Sequence, residues 1–165
     1  MNGAQVLVRT ALAAGREVCF AHPGTPRHTY LTLTGGAIGQ GLPTAVGAAI
    51  ACPDRPVLAL QADGSALHTT EALWTMAREQ LGVTVPLCAN RRYNIRPGEL
   101  ARAGASEPGR ACRTLTDLRN PTIDWGALSR GYGAPATQAS NAEQMSERLL
   151  EAMSEPAPHL VELVL

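Results

Sequence analysis

Two short apolar runs that each end on a polar residue constrain this chain more than any other feature. Val57–Gln61 (VLALQ) leads into Asp63-Gly64-Ser65, and Val83–Cys88 (VTVPLC) leads into Asn90. A compact apolar run suits a strand covered on both faces, as inside a parallel sheet. Between them, Thr70–Gln80 places Leu73, Met76, Ala77 and Gln80 on one helical face, and Gly82 stops it. Strand, helix, strand reads as a parallel crossover. Asp63 and Asn90 are therefore expected at one edge of neighbouring strands, where ligands bind in open α/β sheets.

The flanking sequence extends this pattern. Asn2–Gly15 reads as a helix, Glu17–Phe20 as a short strand and His22–Pro26 as a turn. Tyr30–Thr34 (YLTLT) alternates like a strand. Gly35, Gly36, Gly39 and Gly41 follow, then Pro43 opens a helix, Thr44–Ala51, that is apolar all round and expected to be buried. Gly98–Asn120 reads as a long loop, and Asp124–Arg130 as a short helix ended by Gly131-Tyr132-Gly133. Ser140-Asn141-Ala142-Glu143 has the form of a capping box for a helix carrying Met145, Leu149 and Met153. Leu160–Leu165 closes as a strand. Trp74 and Trp125 read as core and as a packing anchor. His68 reads as a packed or exposed side chain close to the site. The fold expected is α/β, a three-layer sandwich with a mainly parallel sheet and helices on both faces.

Charge and cysteine usage narrow the function. Lys+Arg and Asp+Glu are both 14, so a neutral chain gives no electrostatic basis for binding nucleic acid or an anionic membrane. No apolar run reaches the ~18 residues of a membrane span, and Met1–Gln5 lacks the basic start of a signal peptide. A cytoplasmic location is the expectation. Cys19, Cys52, Cys88 and Cys112 form no CxxC pair and the histidines are scattered, which argues against structural zinc and for reduced thiols.

Asp63, Gly64, Ser65 and Asn90 together suit a Mg²⁺-bound phosphate. Mg²⁺ takes oxygen ligands in octahedral geometry and is commonly shared with a phosphate-bearing ligand. A carboxylate, an amide oxygen and one backbone carbonyl would supply the protein's share. Gly64 permits close backbone approach, and Ser65 precedes a helix whose N–H groups face phosphate.

The stretch TGGAIGQGLPTAVGAAIACPDRPVLALQADGS, with EALWTMARE and CANRRY after it, resembles the diphosphate-binding domain of thiamine-diphosphate enzymes. The acetolactate synthase and benzoylformate decarboxylase group is the nearest in pattern, and the likeness runs from about Tyr30 to Leu165. The family motif begins Gly-Asp-Gly-Ser and ends Asn-Asn; here Ala62 and Ala89 replace its first glycine and first asparagine, and Pro86 stands inside the second strand. The resemblance implies thiamine diphosphate and Mg²⁺ as cofactors. It implies Asp63, Asn90 and the Arg92 backbone carbonyl as metal ligands, with Gly64 and Ser65 on the diphosphate. It also implies that the Gly36 carbonyl receives the cofactor's 4′-amino group and that Ile38 wedges the cofactor into its bent form.

Family enzymes also carry a pyrimidine-binding domain with an activating glutamate. Gln5–Pro26 is similar to the start of that domain, and the chain then passes directly into the diphosphate-binding part. Residues 1–27 are thus expected to be a remnant of the pyrimidine domain and 28–165 the cofactor domain, with no catalytic glutamate. The implied role is a thiamine-diphosphate-binding module of an acetolactate synthase-like enzyme acting on 2-oxo acids, transferase or lyase in type, inactive alone. A second copy (a dimer or larger homo-oligomer) or a partner chain with a pyrimidine domain would complete it. Two other readings stay open. One is a degenerate remnant or interaction module that no longer binds cofactor. The other is a dinucleotide-binding fold, for which the glycine order is GxxGxG and the acidic residue would be Asp54, in a proline-flanked turn.

Overall fold

In the computed structural model, residues 29, 31–32, 34–93, 102–104 and 109–165 are described. The expected helix Asn2–Gly15, strand Glu17–Phe20 and turn His22–Pro26 lie outside them, as do Tyr30 and Leu33 of the expected strand at Tyr30–Thr34. Thr34–Gly36 forms a 3₁₀ turn rather than a strand end.

The sheet is organised around β3 (Val83–Ala89), which pairs on one side with β1 (Val57–Leu58) and β2 (Gln61–Ala62) and on the other with β5 (His159–Val164). β4 (Ala136–Ala139) adds to the far side of β5, and every pairing is parallel. Among the described residues the helices are α1 (Gly41–Ala51), α2 (Asp63–Ala66), α3 (Ala72–Arg78), α4 (Arg110–Thr116), α5 (Trp125–Gly131) and α6 (Ala142–Ser154). Alternate strand residues divide between two cores. Val83, Val85, Leu87 and Leu160 pack with Leu42, Ala45, Leu73, Met76 and Trp125 from α1, α3 and α5. Val161 and Leu163 pack with Met145, Leu149 and Met153 of α6. Because side chains alternate across a strand, these are opposite faces of one sheet, and the three-layer parallel architecture is as expected.

Pro86 explains why the predicted strand Val57–Gln61 is two short pieces. Ala59 donates its N–H to the Thr84 carbonyl at 2.9 Å, and the reciprocal bond would need an N–H on residue 86. Proline has none, so the ladder breaks at Ala59–Leu60. The register is the same on either side, Val57↔Val83 and Gln61↔Leu87, so the proline removes a bond without inserting a bulge.

Several local expectations are corrected. α1 is not buried all round: Leu42, Ala45 and Ala49 face the sheet, whereas Pro43, Gly47 and Ile50 are exposed. An outer-layer helix has only one face against the sheet, whatever its composition. Trp74 is 49% exposed and not core, with the Arg78 guanidinium 4.9 Å from its ring centroid. Trp125 is buried, as an anchor should be. The cap of α6 is Asn141 rather than Ser140. Asn141 Oδ1 accepts from the Gln144 N–H at 2.9 Å, and Gln144 Oε1 accepts from the N–H of Ser140, the residue before the cap, at 3.0 Å, so Gln144 rather than Glu143 closes the helix start. The supposed loop Gly98–Asn120 contains α4 among its described residues.

Replacing Leu149, fully buried against the sheet, with alanine is expected to cost about 2–5 kcal/mol, read as a lower urea midpoint. His159 supplies a pH dependence. Burial pushes its pKa down, and Glu151 and Glu155 only partly oppose this. The unfolded chain then binds the proton more readily, so His159 favours the folded state above about pH 6.5. That contribution is lost as pH falls from there through the lower folded value. Comparing pH–stability curves of wild type and His159→Gln should show a flatter slope in the variant across that window.

Candidate functional site

β2 and β3 run in parallel with Ala62 opposite Cys88, so both chains leave the sheet at the same edge. There Ala62 is still extended, and α2 begins directly with Asp63. The Asp63 side chain is 2% exposed, and its carboxylate is held from both sides. Oδ1 accepts the Gly64 N–H at 2.8 Å, and Oδ2 accepts the Arg91 N–H at 2.5 Å across the strand gap. Arg91 reaches it because its backbone is left-handed, with φ of 56°. A non-glycine residue seldom adopts that conformation without surrounding constraint.

The constraint is visible on both sides of Arg91. Asn90 Oδ1 accepts the Arg92 N–H at 3.0 Å, a local turn closed by a side chain. Arg92 then bridges Asp117 in antiparallel fashion: Leu118 donates its N–H to the Arg91 carbonyl at 3.0 Å, and Tyr93 donates to the Thr116 carbonyl at 2.9 Å. The Arg92 carbonyl takes no part in this pairing. Asp117 is itself fixed by the Arg119 guanidinium, which contacts both carboxylate oxygens and lowers its pKa to about 2.

The glycine run is fastened to the same edge. Gly39 donates its N–H to Ser65 Oγ at 3.1 Å, and Thr69 Oγ1 donates to the Gly39 carbonyl at 2.7 Å. Gly39 has φ of 88°, and a Cβ there would meet the His68 Cβ at 2.7 Å, so glycine is required by both conformation and space. Gly36 and Ile38 precede this fastening on exposed chain, Ile38 at 46% exposure. Asp63, Gly64, Ser65, Asn90 and Arg92 are therefore gathered at one edge, with Gly36 and Ile38 on the rim beside them.

Gly64 is more crowded than expected. Its N–H is already engaged by Asp63, and a Cβ on it would lie 2.6 Å from the Tyr93 ring. His68 is exposed, its ring centroid 6.4 Å from that of Tyr93. Tyr93, Thr69, Gly39 and the Arg91 N–H are contributors that sequence reasoning had not singled out. Only Gly39 carried a signal, as part of the glycine run.

The donor set suits a hard cation shared with a ligand. Each Asp63 oxygen accepts one hydrogen bond and retains acceptor capacity. Among the described residues no group of three His, Cys, Asp or Glu side chains could hold a metal by itself. Burial, then the charge of Asp63, pushes the Cys88 thiol pKa up, so the sulfur on β3 stays protonated and inert. Cys52, Cys88 and Cys112 are free thiols. Among the described residues no helix is long and apolar enough to cross a membrane.

The family described as "Thiamine pyrophosphate enzyme, C-terminal TPP binding domain" matches residues 15–163. The chain is 48% identical over 145 residues to "Putative acetolactate synthase large subunit IlvX" of Mycobacterium tuberculosis, covering 87% of this chain and 28% of that protein. It is 33% identical over 155 residues to the benzoylformate decarboxylase of Pseudomonas aeruginosa, covering 93% and 27%. The thiamine diphosphate-dependent 4-hydroxybenzoylformate decarboxylase of Rhodococcus jostii RHA1 superposes with a TM-score of 0.67 at 34% identity, covering 76% of this chain and 22% of that one. The chain thus spans little more than a quarter of the length of the curated relatives it matches.

Introducing Gly64→Ala should drive the Tyr93 ring from its place and cost about 1–3 kcal/mol. In a double-mutant cycle with Tyr93→Ala, denaturant titration should show most of that cost removed.

Proposed function

The chain belongs to the thiamine pyrophosphate enzyme family, as its C-terminal TPP-binding domain, and from that membership we propose that it binds thiamine diphosphate through Mg²⁺ at the Asp63–Asn90 edge. The observation that carries this reading is the buried Asp63 carboxylate, fixed between the ends of β2 and β3 by the Gly64 and Arg91 N–H groups. Asp63, the Asn90 amide oxygen and the Arg92 carbonyl would hold the metal. A ligand fixed in place before binding loses little freedom when the ion arrives. The Ser65 hydroxyl accepts from Gly39 and keeps its own proton for a diphosphate oxygen. Gly64 would line the diphosphate, Gly36 would offer its carbonyl to the aminopyrimidine and Ile38 would support the bend. When bound, the cofactor supplies an electron sink for chemistry at the carbonyl carbon of a 2-oxo acid.

We further propose an acetolactate synthase-like or 2-oxo acid decarboxylase context, completed by a second copy or a partner bearing a pyrimidine domain. Residues 1–27 are taken as the start of such a domain and 28–165 as the cofactor domain. The exposed apolar side of α1, with Pro43, Gly47 and Ile50, and the exposed Ile38 near its start support contact with another chain. In sedimentation velocity, a concentration-dependent dimer is expected, and Ile50→Glu should weaken it about tenfold or more.

The decisive experiment is calorimetric titration of the chain with thiamine diphosphate, with Mg²⁺ and then with EDTA. Binding should require Mg²⁺. Asp63→Asn, which keeps one acceptor for the two N–H groups, should weaken it beyond about 100-fold while the circular dichroism spectrum is retained. Folded wild-type chain that binds no cofactor would instead indicate a degenerate interaction module. NAD binding indifferent to metal would indicate a dinucleotide fold.

A further inference from the structure

On the α5 side of the sheet, a cleft of about 360 Å³ opens between the start of α5, the strands β4 and β5 and the turn after β3. Its walls carry two cations, Arg91 and Arg130, and two anions, Asp124 and Glu162, with Gln138 between the strands. Glu162 is the unusual member. It sits in the middle of β5, opposite Leu87 on β3 and Gln138 on β4, and is 5% exposed. One of its oxygens, Oε2, accepts from Gln138 Nε2 at 2.9 Å. A carboxylate so far from solvent is costly unless its remaining acceptor positions are filled. No fully enclosed side-chain atom among the described residues lacks a partner, so the second oxygen opens onto the cleft.

The arginines are complementary to it and yet do not neutralise it. Arg130 folds back along its own helix: a Cβ on Gly126 would meet its Nη1 at 3.0 Å, with Asp124 Oδ1 at 3.4 Å from the same point. Asp124 spends Oδ1 on the Ala127 N–H at 2.7 Å, capping α5. Neither Arg91 nor Arg130 forms a salt bridge with a carboxylate among the described residues. The cleft therefore presents a carboxylate oxygen of the otherwise buried Glu162 to its opening, beside arginine side chains that no carboxylate pairs among the described residues.

We infer that this cleft binds a small zwitterion of the α-amino acid class, its ammonium on Glu162 and its carboxylate on Arg130 and Arg91. A simple anion would satisfy the arginines and leave Glu162 repelling it. A simple cation would do the reverse. A molecule carrying an ammonium and a carboxylate on one carbon meets both walls, and charge-assisted hydrogen bonds fix its orientation. The site lies beyond the thiamine diphosphate proposal and is independent of it, sharing only the residue Arg91, whose N–H serves Asp63.

The test is a ¹⁵N-correlation titration of the full chain with each of the proteinogenic L-amino acids in turn. At least one is expected to shift the amides of Thr122–Gly126 and Ala136–Gln138. Its deaminated acid and its decarboxylated amine should each bind about tenfold or more weakly, the loss of one charge-assisted contact. Arg130→Gln and Glu162→Gln should reproduce those losses, and Arg130→Gln should leave the calorimetric response to thiamine diphosphate and Mg²⁺ unchanged. Three results would overturn the inference: no amino acid moving these amides, the carboxylate analogue binding as well as its parent, or a stability coupling between Arg130 and Glu162 without ligand. The last would mean that the two charges serve each other. None of these outcomes bears on cofactor binding, which the separate titration reads.

Discussion

The hydrogen bond from the Arg91 N–H to the Asp63 carboxylate joins two strand ends that the sheet alone leaves apart. β2 and β3 set Ala62 beside Cys88, after which each chain departs on its own course. A buried carboxylate cannot stay unpaired there, and among the described residues its donors are the backbone N–H groups of Gly64 and Arg91, one from each departing segment. Satisfying it fixes the left-handed turn at Arg91. That turn presents Asn90 outward, and the Asp117 segment then locks Arg92. Much of the site geometry follows from solvating one carboxylate with backbone.

The same economy links the glycine run to the site. Gly39 exchanges hydrogen bonds with Ser65 and Thr69, so the rim carrying Gly36 and Ile38 is tied to the first turns after β2. Rim and floor are thereby positioned together although 26 residues separate Gly39 from Ser65. α1 follows directly and carries one apolar face to the sheet and another outward.

Charge is distributed with similar selectivity. The net charge is zero, yet the α5 cleft concentrates two cations and two anions at short range. Glu162 lies within the otherwise apolar part of β5, Leu160–Val164, where an aliphatic residue would pack without desolvation cost. Bulk charge says nothing of this arrangement, because it arises from strand register: β4 brings Gln138 opposite Glu162.

The sequence by itself determined the architecture and the edge that gathers the candidate site residues Asp63 and Asn90. Apolar runs that end on Asp63 and Asn90, separated by a helical period, leave few arrangements other than a parallel sheet with both residues at one edge. The resemblance through TGGAIGQG and ADGS carried the family. Pro86 could also be read locally, since a missing N–H breaks a ladder in any fold. Only the tertiary structure decided which groups meet across distance. The Arg91–Asp63 bond, the Tyr93 ring over Gly64 and the Glu162–Gln138 pair join residues far apart in sequence, with no periodicity to announce them. It also decided that Trp74 and one side of α1 are exposed. Apolar composition states what a residue prefers, whereas burial depends on whether another element arrives to cover it.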